Sequence, residues 1–127
     1  MGSQCAVYDF RISAEGVSEE DIIKTLKQLA KHYVFQEEKG SKTGYLHYQG
    51  RMSLIKKARQ PEALALWKKV DLTPPPNYLE PTTNEEFRKK SFSYAMKIDT
   101  RTRGPWDDQK PDEYIPRQYR NKMENLY

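Results

Sequence analysis

The chain has a single cysteine, Cys5, among 127 residues. That excludes an internal disulfide and any thiolate-rich zinc site, so a metal here must be held by His, Gln, Asp or Glu. No stretch approaches the roughly 18 consecutive apolar residues of a membrane span. The N-terminus lacks a basic-then-apolar leader, so a soluble intracellular protein without a membrane partner is expected. Internal repeats and low-complexity tracts are missing as well. Gly40-Ser41-Lys42-Thr43-Gly44 lacks the glycine spacing of a phosphate-binding P-loop and reads as a turn. At this length one domain over residues 1–127 is expected, with one core made of a sheet and its helices.

Basic charge is present and unevenly placed. The net charge is +4, but Arg88, Lys89, Lys90, Lys97, Arg101 and Arg103 fall within residues 88–103, where Asp99 is the only acid. Such a run attracts phosphate backbones through counterion release, and it also keeps a surface soluble. Nine tyrosines, four phenylalanines and two tryptophans accompany it. Aromatic rings beside basic residues stack unpaired bases, and they equally fill cores.

Cys5 to Ser13 alternates, with Ala6, Tyr8, Phe10 and Ile12 on one side and Asp9, Arg11 and Ser13 on the other, which predicts a half-buried strand. Ser18 before Glu19, Glu20 and Asp21 is an N-cap followed by acids that suit the positive end of a helix, and the stripe Ile22, Leu26, Leu29 carries that helix to about Lys31. A strand over His32–Lys39 follows, with Tyr33, Phe35 and Glu37 on one face and Val34, Gln36 and Glu38 on the other. The loop at 40–44 returns the chain antiparallel into Gly44–Leu54. There Tyr45, His47, Gln49, Arg51 and Ser53 share a polar face, and Leu46, Tyr48, Met52 and Leu54 share an apolar one. A second helix opens at Gln60-Pro61-Glu62 and packs through Leu64, Trp67 and Val70. Three prolines at 74–76 exclude helix and central strand, and Asn77–Pro81 is read as a short final strand. Asn84 with Glu85 and Glu86 starts a third helix that runs to about Ile98. Past Asp99 the prolines and Gly104 predict a loop-rich segment, ending in a short helix over 117–126.

His47 and Gln49 aim an imidazole nitrogen and an amide oxygen at the same space, which is half of a metal site. Because Tyr33 and Phe35 face the helices, Glu38 rather than Glu37 lies on the polar face, near the same end of the hairpin as His47. One carboxylate, one imidazole and one amide suit Mn2+ or Mg2+. On the third helix Tyr94 and Lys97 are three residues apart and share a face. A tyrosine hydroxyl titrates near about pH 10, so attack on phosphorus requires a nearby cation and a polarised electrophile, roles open to Lys97 and to the metal.

This order of elements resembles the HUH-type endonuclease domain of rolling-circle replication initiators, the Rep proteins of small circular single-stranded DNA viruses of circovirus-like or smacovirus-like type. Val7 to Ser13 corresponds to the family's first motif, a strand that helps bind origin DNA. His47-Tyr48-Gln49-Gly50 corresponds to the metal motif, with the additional Glu at Glu38, and Tyr94-Ala95-Met96-Lys97 to the Y-x-x-K motif. Gln49 stands where the name-giving motif has its second histidine, a substitution circovirus-like members share. Asp9-Phe10-Arg11-Ile12 replaces the usual F-T-x-N.

The resemblance implies an α+β fold, an antiparallel sheet with helices on one face and the active site on the other, RRM-like in arrangement. It implies metal-dependent nicking and joining of single-stranded DNA at a viral origin stem-loop through a phosphotyrosine at Tyr94. Glu38, His47 and Gln49 then hold the metal and Lys97 assists. Arg11, Arg51, Lys90, Arg101 and Arg103 are candidates for DNA contact. The core is expected over about residues 5–100, with 101–127 a basic and aromatic C-terminal segment. The family's helicase domain is absent from this chain and would be its partner in a full-length protein, acting in the host cell, in the nucleus of a eukaryotic host. Two rivals stand beside it: a non-catalytic RRM-like module of the same topology that stacks bases on aromatics such as Tyr45, and a metal-dependent nuclease that activates water and leaves no covalent adduct.

Overall fold

The computed structural model describes residues 4–40, 44–82 and 100–108. Within them the chain is α+β: five strands in one antiparallel sheet and two helices. In chain order these are β1 (Cys5–Ser13), α1 (Glu19–Leu29), β2 (Ala30–Lys39), β3 (Leu46–Ala58), α2 (Gln60–Val70), β4 (Tyr78–Pro81) and β5 (Arg101–Asp107). The sheet order is β4-β1-β3-β2-β5, which puts the His-x-Gln strand at the centre. No helix of the described residues is long and apolar enough to cross a membrane.

The period-two pattern of the sequence decides which side of each strand is covered. Tyr8, Phe10 and Ile12 of β1, Tyr33 and Phe35 of β2, and Tyr48, Met52 and Leu54 of β3 join one buried cluster with Ile22, Leu26 and Leu29 of α1 and Ala63 and Trp67 of α2. Burying each large aliphatic of that set stabilises the fold by roughly 2 kcal/mol. Three of its aromatics have their polar tips satisfied: Tyr8 donates to the Ala58 carbonyl at 2.6 Å, Tyr48 to the Val17 carbonyl at 2.8 Å, and the Trp67 indole to Thr73 at 2.9 Å. Gly50, at the middle of β3, is required by packing. A Cβ there would stand 2.5 Å from Phe35 Cβ and 2.6 Å from Phe10 Cζ, so the missing side chain lets those two rings meet across the central strand.

Several boundaries differ from the sequence expectations. Helix α1 stops at Leu29, because Ala30 is already extended and pairs with Leu54, so β2 begins two residues before His32. Strand β3 continues past Leu54 to Ala58, its Lys56 and Lys57 exposed. Strand β4 occupies Tyr78–Pro81 but is not the last strand, since the segment past Asp99, expected to be loop, contains β5. The sheet therefore extends to Asp107, beyond the expected core end at about residue 100. Pro105 is tolerated because β5 is an edge strand, and the register with β2 shifts between Phe35 and Glu37, where Gly104 and Pro105 make the bulge. The third helix and the helix over 117–126 lie outside the described residues.

Candidate metal centre and nucleic-acid face

The side of the sheet away from the helices carries the polar residues in rows. Antiparallel register places Ser13, His47, Glu38 and Arg101 side by side on β1, β3, β2 and β5. The next row is Tyr78, Arg11, Gln49 and Gln36 on β4, β1, β3 and β2. His47 and Gln49 are two residues apart on the central strand, so they share this face, and Glu38 is the direct cross-strand partner of His47.

The centre of the face is buried: Glu38, Gln36 and Gln49 all lie in the interior, while the His47 side chain keeps 20% exposure. His47 Nε2 stands 3.7 Å from Glu38 Oε1. That is long for a hydrogen bond, and it fits two ligands of one ion, which at about 2.1 Å each from the metal can be as much as about 4.2 Å apart. The carboxylate is oriented from two sides. Gln36 Nε2 donates to Glu38 Oε2 at 2.9 Å, and Thr100 Oγ1 donates to Glu38 Oε1 at 3.1 Å. The Thr100 carbonyl in turn accepts from the Lys39 amide at 2.9 Å, which fixes the start of β5 against β2. Such outer partners aim a ligand and hold its rotamer. Among the described residues no group of three or more His, Cys, Asp and Glu could hold a metal ion. Glu38 and His47 are two of those donor types, and the third candidate, Gln49, is an amide.

Glu37, one residue earlier, projects into the opposite face. Its carboxylate accepts from Arg103 Nη2 at 2.9 Å and from Thr102 Oγ1 at 2.8 Å. Hydrogen bonding from the Arg103 guanidinium holds the Glu37 carboxyl below its usual range, against the opposing effect of burial. Arg103 also bridges Glu19 at 3.4 Å, reaches the Tyr48 hydroxyl at 3.3 Å and lies 5.5 Å over the Trp106 ring. Its own pKa is raised, first by the bond to Glu37. The Tyr48 hydroxyl is pushed up, chiefly by burial.

The basic residues proposed as DNA contacts separate by position. Arg11 is exposed at the β1–β4 side of the polar face. Arg51 is a correction: it is fully buried, with Nε 2.6 Å and Nη2 3.2 Å from the two Asp9 oxygens, so its charge is committed to a buried ion pair. Opposite charges on neighbouring strands, Asp9 facing Arg51 in register, were the signal for it. Arg101 lies beside Glu38 on the polar face. Arg103 is on the helix side, matched by Glu37 and Glu19. Tyr94, Lys97 and Lys90 lie outside the described residues. Thr100, sixty-two residues from Glu38, carries no sequence signal for its role; Gln36 had one, as the neighbour of Glu38 on the same strand face.

No protein-family model, no curated protein and no solved structure matches this chain.

Proposed function

We propose that the chain is an HUH-type endonuclease domain of a Rep protein that nicks and rejoins single-stranded DNA at a replication origin. The observation that carries the proposal is the cross-strand pair of Glu38 and His47, 3.7 Å apart on the sheet face away from the helices, with Gln49 two residues on. The five-stranded antiparallel sheet with both described helices on its other face is compatible with the RRM-like arrangement of that family.

Glu38, His47 and Gln49 would hold a divalent ion, Mn2+ or Mg2+, which when bound supplies polarisation of a phosphate oxygen. Tyr94 attacks the phosphorus of the scissile phosphodiester. A bond forms between the tyrosine oxygen and phosphorus, the bond to the 3′ oxygen breaks, and the proton lost by the phenol is balanced by one gained at the 3′ hydroxyl. Lys97 stabilises the phenolate as it develops. Reversal by a free 3′ hydroxyl rejoins the strand. Gln36 and Thr100 keep the Glu38 carboxylate aimed throughout.

The test is incubation with an origin stem-loop oligonucleotide and Mn2+, followed by denaturing electrophoresis. A species of protein plus DNA that survives SDS, is lost in Tyr94→Phe and is lost on chelation supports the proposal. Cleavage without a covalent species would identify a water-activating nuclease, and metal-independent binding without cleavage a non-catalytic module.

A further inference from the structure

Most large side chains at the polar face are buried, but its β1–β4 margin is not. Tyr78 is 44% exposed, and Arg11, its register partner, is exposed with its guanidinium 5.8 Å over the Tyr78 ring. Leu79, next in the chain, is buried in the helix-side core, which fixes Tyr78 on the polar side. Buried packing explains neither the exposed ring nor the exposed charge. An arginine against a tyrosine holds the ring by cation–π attraction while leaving the ring's other surface and the guanidinium edge to a ligand.

We infer that Tyr78 and Arg11 form a base-and-phosphate clamp for single-stranded DNA at the edge of the sheet, with the base stacked on Tyr78 and the adjoining phosphate bonded by Arg11. The inference rests on the nuclease function proposed above and adds to it where the strand is gripped. Arg11 and Gln49 are register partners, and Ser13, two residues along β1 on the same face, is the register partner of His47. With strands about 4.8 Å apart and about 6.7 Å per two residues, Tyr78 lies about 12 Å from His47. A strand held at Tyr78 therefore reaches the Glu38–His47 pair within a few nucleotides, passing Arg11 and the exposed Ser13. The opposite direction is disfavoured, because Glu80 lies there, in register with Asp9.

The clamp is tested by fluorescence anisotropy of the full chain with a labelled oligothymidylate of about 12 nucleotides, in chelator so that no cleavage intervenes. Tyr78→Ala is expected to weaken binding about tenfold, in line with the cost of losing one base–aromatic stack. Tyr78→Phe and Tyr78→Trp keep the π face and stay within about twofold of the parent, whereas Tyr78→Leu, which keeps apolar bulk without that face, falls with Tyr78→Ala. Arg11→Ala lowers the salt slope of binding by about one. Equal binding by Tyr78→Leu and Tyr78→Phe overturns the clamp, as does equal affinity for a duplex of the same length. If this order of affinities holds while the parent forms no SDS-resistant species, the clamp stands and the nickase function is refuted. If the adduct forms and Tyr78→Leu binds normally, the clamp alone is refuted.

Discussion

Glu37 and Glu38 are adjacent, both buried, and carried by the same strand, yet the sheet sends them to opposite faces with different partners. On the helix side Glu37 meets a guanidinium that also holds Glu19 and covers Trp106, and Trp106 packs 5.0 Å from Phe35. Its negative charge is matched and its function is to fasten β5 and α1 to β2. On the other side Glu38 accepts from an amide and a hydroxyl, two neutral donors, and faces His47 across 3.7 Å. Those two donors orient the carboxylate without adding a charge of their own, and the cation in register with it is Arg101 of β5. The contrast teaches that burial of an acid is uninformative until its donors are identified.

The largest expected effect separates the two glutamates. Glu38→Gln is expected to lower the rate of metal-dependent adduct formation about a thousandfold, the loss of several kcal/mol of Lewis-acid stabilisation, with little change in a denaturant midpoint. Glu37→Gln is expected to do the reverse, costing about 1.5 kcal/mol of stability through its lost charge-assisted bonds and leaving the adduct rate close to the parent's. Equal effects of the two substitutions on both readouts would erase the distinction between the faces.

A second acid on the polar face sharpens the comparison, because it is paired as Glu37 is. Asp9→Ala leaves the fully buried Arg51 guanidinium without its carboxylate. Urea unfolding should register a loss of about 3 kcal/mol, the usual cost of breaking a buried ion pair from one side.

The outer partners of Glu38 come next. Thr100→Ala removes the hydroxyl that holds Glu38 Oε1 and is expected to weaken Mn2+ binding about tenfold, with Thr100→Ser restoring it. A threonine that merely packs would not be rescued by serine, so failure of that rescue would remove Thr100 from the site.

The smallest effect is on acid stability. The Glu37 carboxyl has a lowered pKa in the folded protein, so its pairing contributes stability above the unfolded carboxylate range and loses it as pH falls through the lowered value. The stability advantage of the parent over Arg103→Gln should therefore be full above about pH 5 and shrink steadily below about pH 4.5. Thermal melts across that range would show it, and an advantage independent of pH would contradict the assignment of Arg103 as the cause.

The central strands were legible in the sequence because half-buried antiparallel strands alternate with period two, and that alternation alone distinguished Glu38 from Glu37 and put His47 and Gln49 together. Helix α1 was legible from Ser18, whose hydroxyl accepts from the Asp21 amide at 3.2 Å, and from its acidic first turn. Strand β5 was not legible, since Gly104 and Pro105 are loop residues by every local rule and are accommodated only by a bulge at an edge. With β5 went Thr100, the fastening of Glu38, because a contact spanning sixty-two residues leaves no periodic trace. Arg51 was misread for a related reason: a basic residue on a polar strand face reads as surface until the neighbouring strand supplies its acid.

The most direct measurement is a Mn2+ titration followed by the electron paramagnetic resonance signal of the free ion, with the parent, Glu38→Gln, His47→Ala and Glu37→Gln in parallel. Saturable binding of one ion by the parent and Glu37→Gln, and its loss in Glu38→Gln and His47→Ala, is the predicted result. Binding that survives in Glu38→Gln and His47→Ala, or that Glu37→Gln abolishes, would contradict a metal centre on the polar face.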